Sequence, residues 1–394
     1  MSRFHSYLNS AKEILSLYRG EEPFASFIKK YFAKDKKYGS KDRKQISNLC
    51  YCYFRTGKAP PPPEGGLLED SLKIEEKILT GLFLCSSGYN ELLQNLKPEW
   101  NEKTKLPINE KLSSLNYQLS SVFPWKDELS EGIDYEKFCQ SFFVQPDLFL
   151  RIRPGHAEQA LLKLNEAKVS YEFISPFTIR LSNNLKAEDY FVLNKEVVIQ
   201  DYNSQRVMDF LPLRPGRSYG VWDCCAGSGG KSIMAYDINP AIKLTVSDVR
   251  ESILINLKKR FHAAGLKKYT AFTADLSDSS FKVKHSLFDT IICDVPCSGS
   301  GTWSRTPEQL YFFDKKKIDE YAALQKKIVS NAVQYLQPGG HLLYITCSVF
   351  RKENEEVVDF IKQQLNLHLV KIELLKGYDI KADTMFVSLL QKTL

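Results

Sequence analysis

The chain has 394 residues, 43% apolar and 26% charged, with 20 glycines and 17 prolines; this balance suits two or three folded domains and excludes a disordered or collagenous chain. No apolar run approaches the roughly 18 residues of a membrane span, and the opening Met1-Ser2-Arg3-Phe4-His5 carries no apolar signal core, so a cytoplasmic chain is expected. The net charge of +7 is uneven: residues 1–60 hold 13 Lys/Arg against 5 Asp/Glu, and the remainder is close to neutral. Such a basic segment suits either a phosphate-backbone partner or a solvated helical face.

Apolar residues recur at helical spacing through Tyr7, Leu8, Ala11, Ile14 and Leu15 and again through Phe24, Phe27, Ile28 and Phe32. Ser40 is the expected cap of a third helix, with its apolar stripe at Ile46, Leu49, Cys50 and Tyr53. Ala59–Gly66, with four consecutive prolines, is a stiff connector. Further helices are expected near 69–93 and 113–121. From residue 148 the period changes: strands at 148–153, 171–174 and 178–181 enclose a helix at 156–167, a small α+β unit.

Beyond residue 200 strands and helices alternate. Strands are expected at 219–223, 244–248, 270–275, 288–294 and 341–346, the last after a helix at 318–336 that ends in Pro338-Gly339-Gly340. Alternation over nearly 200 residues predicts an α/β fold with a parallel, doubly wound sheet, whose ligands bind at the carboxyl ends of the strands. Those ends carry Asp223 with a glycine loop, Asp248, Asp275, Asp294 followed by Cys297, and Thr346 followed by Cys347. The loop is neither a P-loop, which would need glycine at Cys225, nor a dinucleotide fingerprint, which would need Gly or Ala at Ser232.

The nine cysteines are odd in number and scattered, with no CxxC pair and no clustered histidine, so neither a disulfide framework nor a metal site is expected. Cys50, Cys52, Cys85 and Cys139 lie in helical apolar patterns and read as packing. Cys297 and Cys347 each follow a strand end on one sheet edge and are nucleophile candidates; spacing does not choose between them.

These motifs, in this order, resemble the 5-methylcytosine RNA methyltransferases of the RsmB/Nop2/Sun family. The resemblance rests on Gln200-Asp201 with Ser204-Gln205, the run Asp223–Ser232, Asp248, Asp275, Asp294-Val295-Pro296-Cys297-Ser298-Gly299, Arg305-Thr306-Pro307-Glu308, Thr346-Cys347-Ser348 with Glu353-Asn354-Glu355-Glu356, and Asp383–Val387. Gly39–Arg43 and Tyr53-Phe54-Arg55 are similar to a NusB-like domain of bacterial members. The resemblance implies a helical NusB-like RNA-binding domain at 1–130, a small α+β RNA-binding unit at 140–199 and a Rossmann-like methyltransferase domain at 200–394. It implies S-adenosylmethionine as cofactor, held by Cys225, Ala226, Gly227, Ser228, Gly229, Gly230, Lys231, Asp248, Arg250, Asp275 and Asp294. Gly227-Ser228 departs from the family's usual Ala-Pro, and Thr384 stands where the family favours glycine.

In the family pattern Cys347 corresponds to the nucleophile that adds to carbon 6 of cytosine, Cys297 assists product release, and Asp294 holds the base edge. DNA cytosine methyltransferases, similar at Pro296-Cys297, attack with that cysteine instead. Arg151, Arg153 and Arg305, with Lys29, Lys30, Lys36 and Lys37, are candidate RNA contacts, and Trp303, Tyr311 and Phe312 candidate stacking residues. The partner is expected to be RNA, small-subunit ribosomal RNA by the NusB-like resemblance, with transfer RNA an alternative, and the protein a monomer. The rival reading is a non-catalytic RNA-binding or ribosome-assembly factor.

Overall fold

The structure, a computed structural model, describes residues 3–34, 37–58, 67–213, 216–278, 280–282 and 287–394. Two compact units result, and their boundaries differ from those expected. The first comprises Met1–Asp127, Asp134–Gln145 and Trp303–Asp314; the second comprises Glu128–Ile133, Pro146–Thr302 and Lys315–Leu394. The α+β segment thus clusters with the α/β segment beyond residue 200, and the segment just beyond the Cys297 turn clusters with the helices.

The first unit is helical, with helices at Arg3–Leu17, Phe24–Lys34, Ser40–Arg55 and Leu67–Cys85 followed by shorter ones from Glu91 to Ser141. The expected helix over 69–93 is in fact two, because Asn90 caps a new one by accepting the Leu92 and Leu93 amides. Ser40 is not a cap. Gly39 occupies that position, and its amide donates to the Asp42 carboxylate at 2.9 Å, so Asp42 supplies the capping group from within the first turn. Arg55 is buried and donates to the Phe142 carbonyl at 2.6 Å and to Gln145, a structural role for the Tyr53-Phe54-Arg55 motif. The Ala59–Gly66 connector and Lys36 lie outside the described residues.

The second unit holds two sheets. Strands β1 (Leu148–Ile152), β2 (Glu172–Ser175), β3 (Thr178–Leu181) and β4 (Val197–Ile199) form an antiparallel sheet in the order β2-β3-β1-β4. The three-residue β4 carries too short a pattern to be read from sequence. Strands β5 (Gly220–Asp223), β6 (Lys243–Asp248), β7 (Tyr269–Thr273), β8 (Phe288–Asp294), β9 (Leu336–Thr346), β10 (Leu367–Leu375) and β11 (Met385–Lys392) form a seven-stranded sheet in the order β10-β11-β9-β8-β5-β6-β7. Strands β5 to β9 are parallel, whereas β11 and β10 run antiparallel at one edge, so the expected all-parallel sheet is mixed. Neither face is left bare. Val221, Ile292, Leu343 and Ile345 enter one core cluster and their neighbours Trp222, Ile291, Leu342 and Tyr344 enter the other. That alternation is the doubly wound arrangement.

Pro338-Gly339-Gly340 lies within β9 rather than at a helix end. The helix stops at Val333, and pairing with β8 passes from Phe288–Leu336 to Thr290–His341, so the intervening residues form a bulge that tolerates proline.

Arg151 and Arg153, read as RNA contacts, are not presented to solvent. Both are buried and converge on Asp237, on the helix Gly230–Ile238 that follows β5, with 2.6 Å contacts from Arg151 Nη1 and Arg153 Nη2. Arg153 Nη1 also donates to the carbonyls of Asn194 and Ala264. These guanidiniums tie the small sheet to the large one. Asp237→Ala leaves two buried cations facing each other and should cost about 3–5 kcal/mol in urea unfolding; a loss below about 1 kcal/mol contradicts this role.

Candidate active site

Strands β5 and β6 lie side by side with β8 on the other flank of β5, so chain order reverses at β5 and a crevice opens at its carboxyl end. Parallel pairing brings the ends of β5, β6, β8 and β9 to one edge. Asp223, Asp248, Asp294 and Thr346 stand there, as the sequence predicts.

The loop Cys225–Lys231 follows β5. Gly227 donates its amide to Asp248 Oδ2 at 2.9 Å, while Asp248 Oδ1 accepts the backbone and side chain of Arg250. Gly229 caps the next helix in the left-handed region, φ +82°, and a Cβ there would come within 2.6 Å of Phe261, so glycine is required twice over. Arg260 donates to the carbonyl and hydroxyl of Ser228, at 2.9 and 2.6 Å. This accounts for Ser228: the loop is restrained by an arginine from the helix after β6, Glu251–Ala263, instead of by a proline ring. Thr384 has an account too, since its hydroxyl accepts the Gly377 amide at 3.1 Å.

Asp223 is fully buried and accepts Ser232 Oγ at 2.6 Å through Oδ2; among the described residues its Oδ1 has no hydrogen-bond partner. Burial pushes its carboxyl up to about 7. An orphaned buried acceptor beside an open glycine loop fits a ligand bearing hydroxyl or ammonium donors, as a nucleoside cofactor does. A Cβ added at Gly227 or Gly230 meets nothing within 4 Å, so that space is clear. Asp275 is exposed, two residues beyond β7, and accepts from Ser277.

Cys297 and Cys347 come together, with their sulfurs 3.3 Å apart. The hydrogen bond with Cys347, together with burial, pushes the Cys297 thiol well above the ordinary cysteine range. Lys231 reaches from the glycine loop to Asp294 Oδ2 at 2.6 Å. Burial opposes its charge, but Asp294 beside it, with smaller help from Asp223 and Cys347, holds its ammonium above the ordinary lysine range. A fixed cation, a carboxylate and two thiols therefore share one edge.

Glu353, Ser298 and Ser348 complete this cluster without having been assigned roles from sequence; the repeated Cys-Ser dipeptide, Cys297-Ser298 and Cys347-Ser348, was the available signal. Cys224 and Cys293 are buried packing and Cys225 is half-buried. Trp303 is fully buried among Phe123, Trp125 and Phe313 in the helical unit, so it is core and not a stacking platform. Tyr311 bonds Tyr53, and Phe312 packs on Tyr18. Arg305 falls in the helical unit. Lys29, Lys30 and Lys37 are exposed there, Lys30 paired with Glu22. Among the described residues no group of acids, histidines and cysteines is placed to hold a metal ion, and no helix is long and apolar enough to cross a membrane.

Residues 210–391 match the family described as 16S rRNA methyltransferase RsmB/F. The ribosomal RNA small subunit methyltransferase B of Xanthomonas campestris is 32% identical over 170 residues, covering 43% of this chain and 38% of that protein. The probable ribosomal RNA small subunit methyltransferase B of Bacillus subtilis is 30% identical over 237 residues, 58% of this chain and 52% of its own length. The chain thus aligns with about half or less of these relatives. Among solved structures, PH0851 superposes with a TM-score of 0.71 at 18% identity over 98% of both chains, and a methyltransferase homolog from Pyrococcus horikoshii with 0.56 at 19% over 72% of this chain and 98% of that one. At those identities the likeness is one of fold.

Asp223 carries a pH prediction. Its carboxyl rises from 3.8 to about 7 on folding, so between those values the native state keeps a proton that the unfolded chain releases. Its contribution therefore becomes more unfavourable as pH rises through this window and is constant above it. The melting temperature of Asp223→Asn, minus that of the wild type, should grow from about pH 5 to about pH 8 in thermal scans. A constant or shrinking difference contradicts the assignment.

Proposed function

We propose that this chain, whose residues 210–391 match the RsmB/F methyltransferase family, transfers a methyl group from S-adenosylmethionine to carbon 5 of a cytosine in RNA, with small-subunit ribosomal RNA as the acceptor. The observation that carries the reading is the sulfur pair at 3.3 Å on the edge where the glycine loop and the strand-end acids also converge. In this reading the loop Cys225–Lys231, with Asp223, Asp248 and Arg250, holds the cofactor, and the exposed Asp275 accepts from its adenine or ribose. The cofactor supplies an electrophilic methyl group.

The protein's own residues supply the rest. Carbon 5 of cytosine is a poor nucleophile until a thiolate adds to carbon 6 and pushes electron density onto it. Cys347 forms that sulfur–carbon bond, with the Lys231 ammonium stabilising its anion and the Cys297 S–H donating to it. Asp294 accepts from the base edge and holds the ring in place. Once Cys347 is bonded to carbon, the interaction that most raises the Cys297 pKa is gone. Cys297 then releases its own proton to solvent and, as a thiolate, takes the carbon-5 proton; the C–H electron pair re-forms the C5–C6 double bond and expels Cys347 as a thiolate. The target base must leave its stack to reach this edge, so a loop or single-stranded cytosine is favoured. The exposed Lys29, Lys30 and Lys37 contact phosphates in this reading, and the helical unit binds RNA.

Wild-type protein should move tritium from the labelled methyl group of the donor into ribosomal RNA, recovered as 5-methylcytidine after digestion. Cys347→Ala should lose at least about a thousandfold in kcat and form no covalent RNA complex. Turnover by Cys347→Ala with loss only in Cys297→Ala contradicts the assignment, and an absence of label in RNA points to a binding factor.

A further inference from the structure

We propose that Glu353 is a positioning residue that sets the distance between the two reactive sulfurs. The inference rests on the reading that both thiols serve one base, but its geometric part can be tested without turnover. Glu353 is fully buried. Its Oε2 accepts the Ser298 amide at 2.8 Å and Gln325 Nε2 at 3.1 Å, and its Oε1 accepts Ser348 Oγ at 2.7 Å. Ser298 and Ser348 directly follow Cys297 and Cys347, so one carboxylate grips both sulfur-bearing turns, which lie 50 residues apart in sequence.

Burying a carboxylate is costly unless donors surround it. Here the donors come from three elements: the turn after β8, the turn after β9, and the helix Lys316–Val333 that carries Gln325. A carboxylate is the side chain that only accepts, through two oxygens, and so can join two such turns at once. The serines knit the same link. Ser298 Oγ lies 3.0 Å from Ser300 Oγ and 3.1 Å from Ser348 Oγ, and Ser300 and Ser348 accept the amides of Val349 and Phe350. Glu353 is itself held where its chain turns, since the Tyr344 hydroxyl donates to its carbonyl at 2.6 Å and contacts Gln325 as well. The neighbouring Asn354 repeats the device on the Cys347 side, accepting Thr346 Oγ1 at 2.5 Å and donating to the Ser348 carbonyl at 2.9 Å.

The test uses a trivalent arsenical, phenylarsine oxide, which closes onto two thiols only when they are adjacent and releases water. Capture that disappears in Cys297→Ala reports this pair and not the other buried cysteines. Glu353→Gln keeps the shape of the side chain but leaves it one accepting oxygen, so it cannot accept from both turns at once. Ser348→Ala, which cuts one arm only, is the second variant. Glu353→Gln should melt close to the wild type yet lose most of the pair-specific capture, and kcat for methyl transfer should fall about a hundredfold with KM little changed. Ser348→Ala should show a smaller loss of both. Wild-type capture rates and kcat in both variants overturn the proposal. If wild-type protein captures the arsenical and Glu353→Gln does not, while neither transfers methyl groups, the positioning role stands and the catalytic reading fails.

Discussion

The pairing of β8 with β9 is the constraint on which the site depends. Asp294 sits opposite Ile345 in that ladder, and the two cysteines follow within a few residues on each strand. A slip of β9 by one residue would turn Thr346 to the opposite face and separate the thiols. The register is over-determined, because Ile291, Ile292, Leu342 and Leu343 fill cores on both sides of the sheet at once. The chemistry at the edge therefore draws its geometry from apolar packing deeper in the domain.

A second level of order is polar. Buried groups at the site seldom stand alone. Asn203 donates to the carbonyls of Leu375 and Asp383, and Asp201 accepts the Asp383 amide. The segment ahead of the sheet is thereby locked to the segment that enters its antiparallel edge. Gly301 completes this corner: its amide donates to the Cys347 carbonyl, its carbonyl accepts the Thr384 amide, and a Cβ would come within 2.0 Å of the Thr384 carbonyl. Such networks are demanding, since every buried donor and acceptor must be matched, but once matched they rigidify the site. The Arg151–Asp237–Arg153 cluster rigidifies the join between the two sheets through its ion pairs, although Arg151 Nη2 has no hydrogen-bond partner among the described residues.

Most of the parallel core was legible, because alternating buried strands and helices leave a strong period and because acids followed by glycine or cysteine mark the strand ends. The antiparallel pair β10 and β11 was not, since nothing local distinguishes an edge strand's direction. Pro338-Gly339-Gly340 misled for a similar reason: proline and glycine signal an interruption, and only tertiary pairing shows that the interruption is a bulge. Arg151 and Arg153 misled because basic residues on a strand give no sign of a distant Asp237. The two sulfurs were legible as candidates by position, but their 3.3 Å separation was not. Glu353 escaped assignment because its role exists only in three dimensions, as an acceptor shared by two turns.

The central claim, that Cys347 bonds to the pyrimidine while Cys297 assists its release, is tested most directly by trapping the bond. RNA containing 5-fluorocytidine keeps carbon 6 open to attack but denies Cys297 a proton to remove, so the adduct should persist after methyl transfer. Protease digestion and mass mapping of that complex should place the modified nucleotide on the peptide containing Cys347. A nucleotide on the Cys297 peptide, or no covalent complex despite methyl transfer to natural RNA, would contradict it.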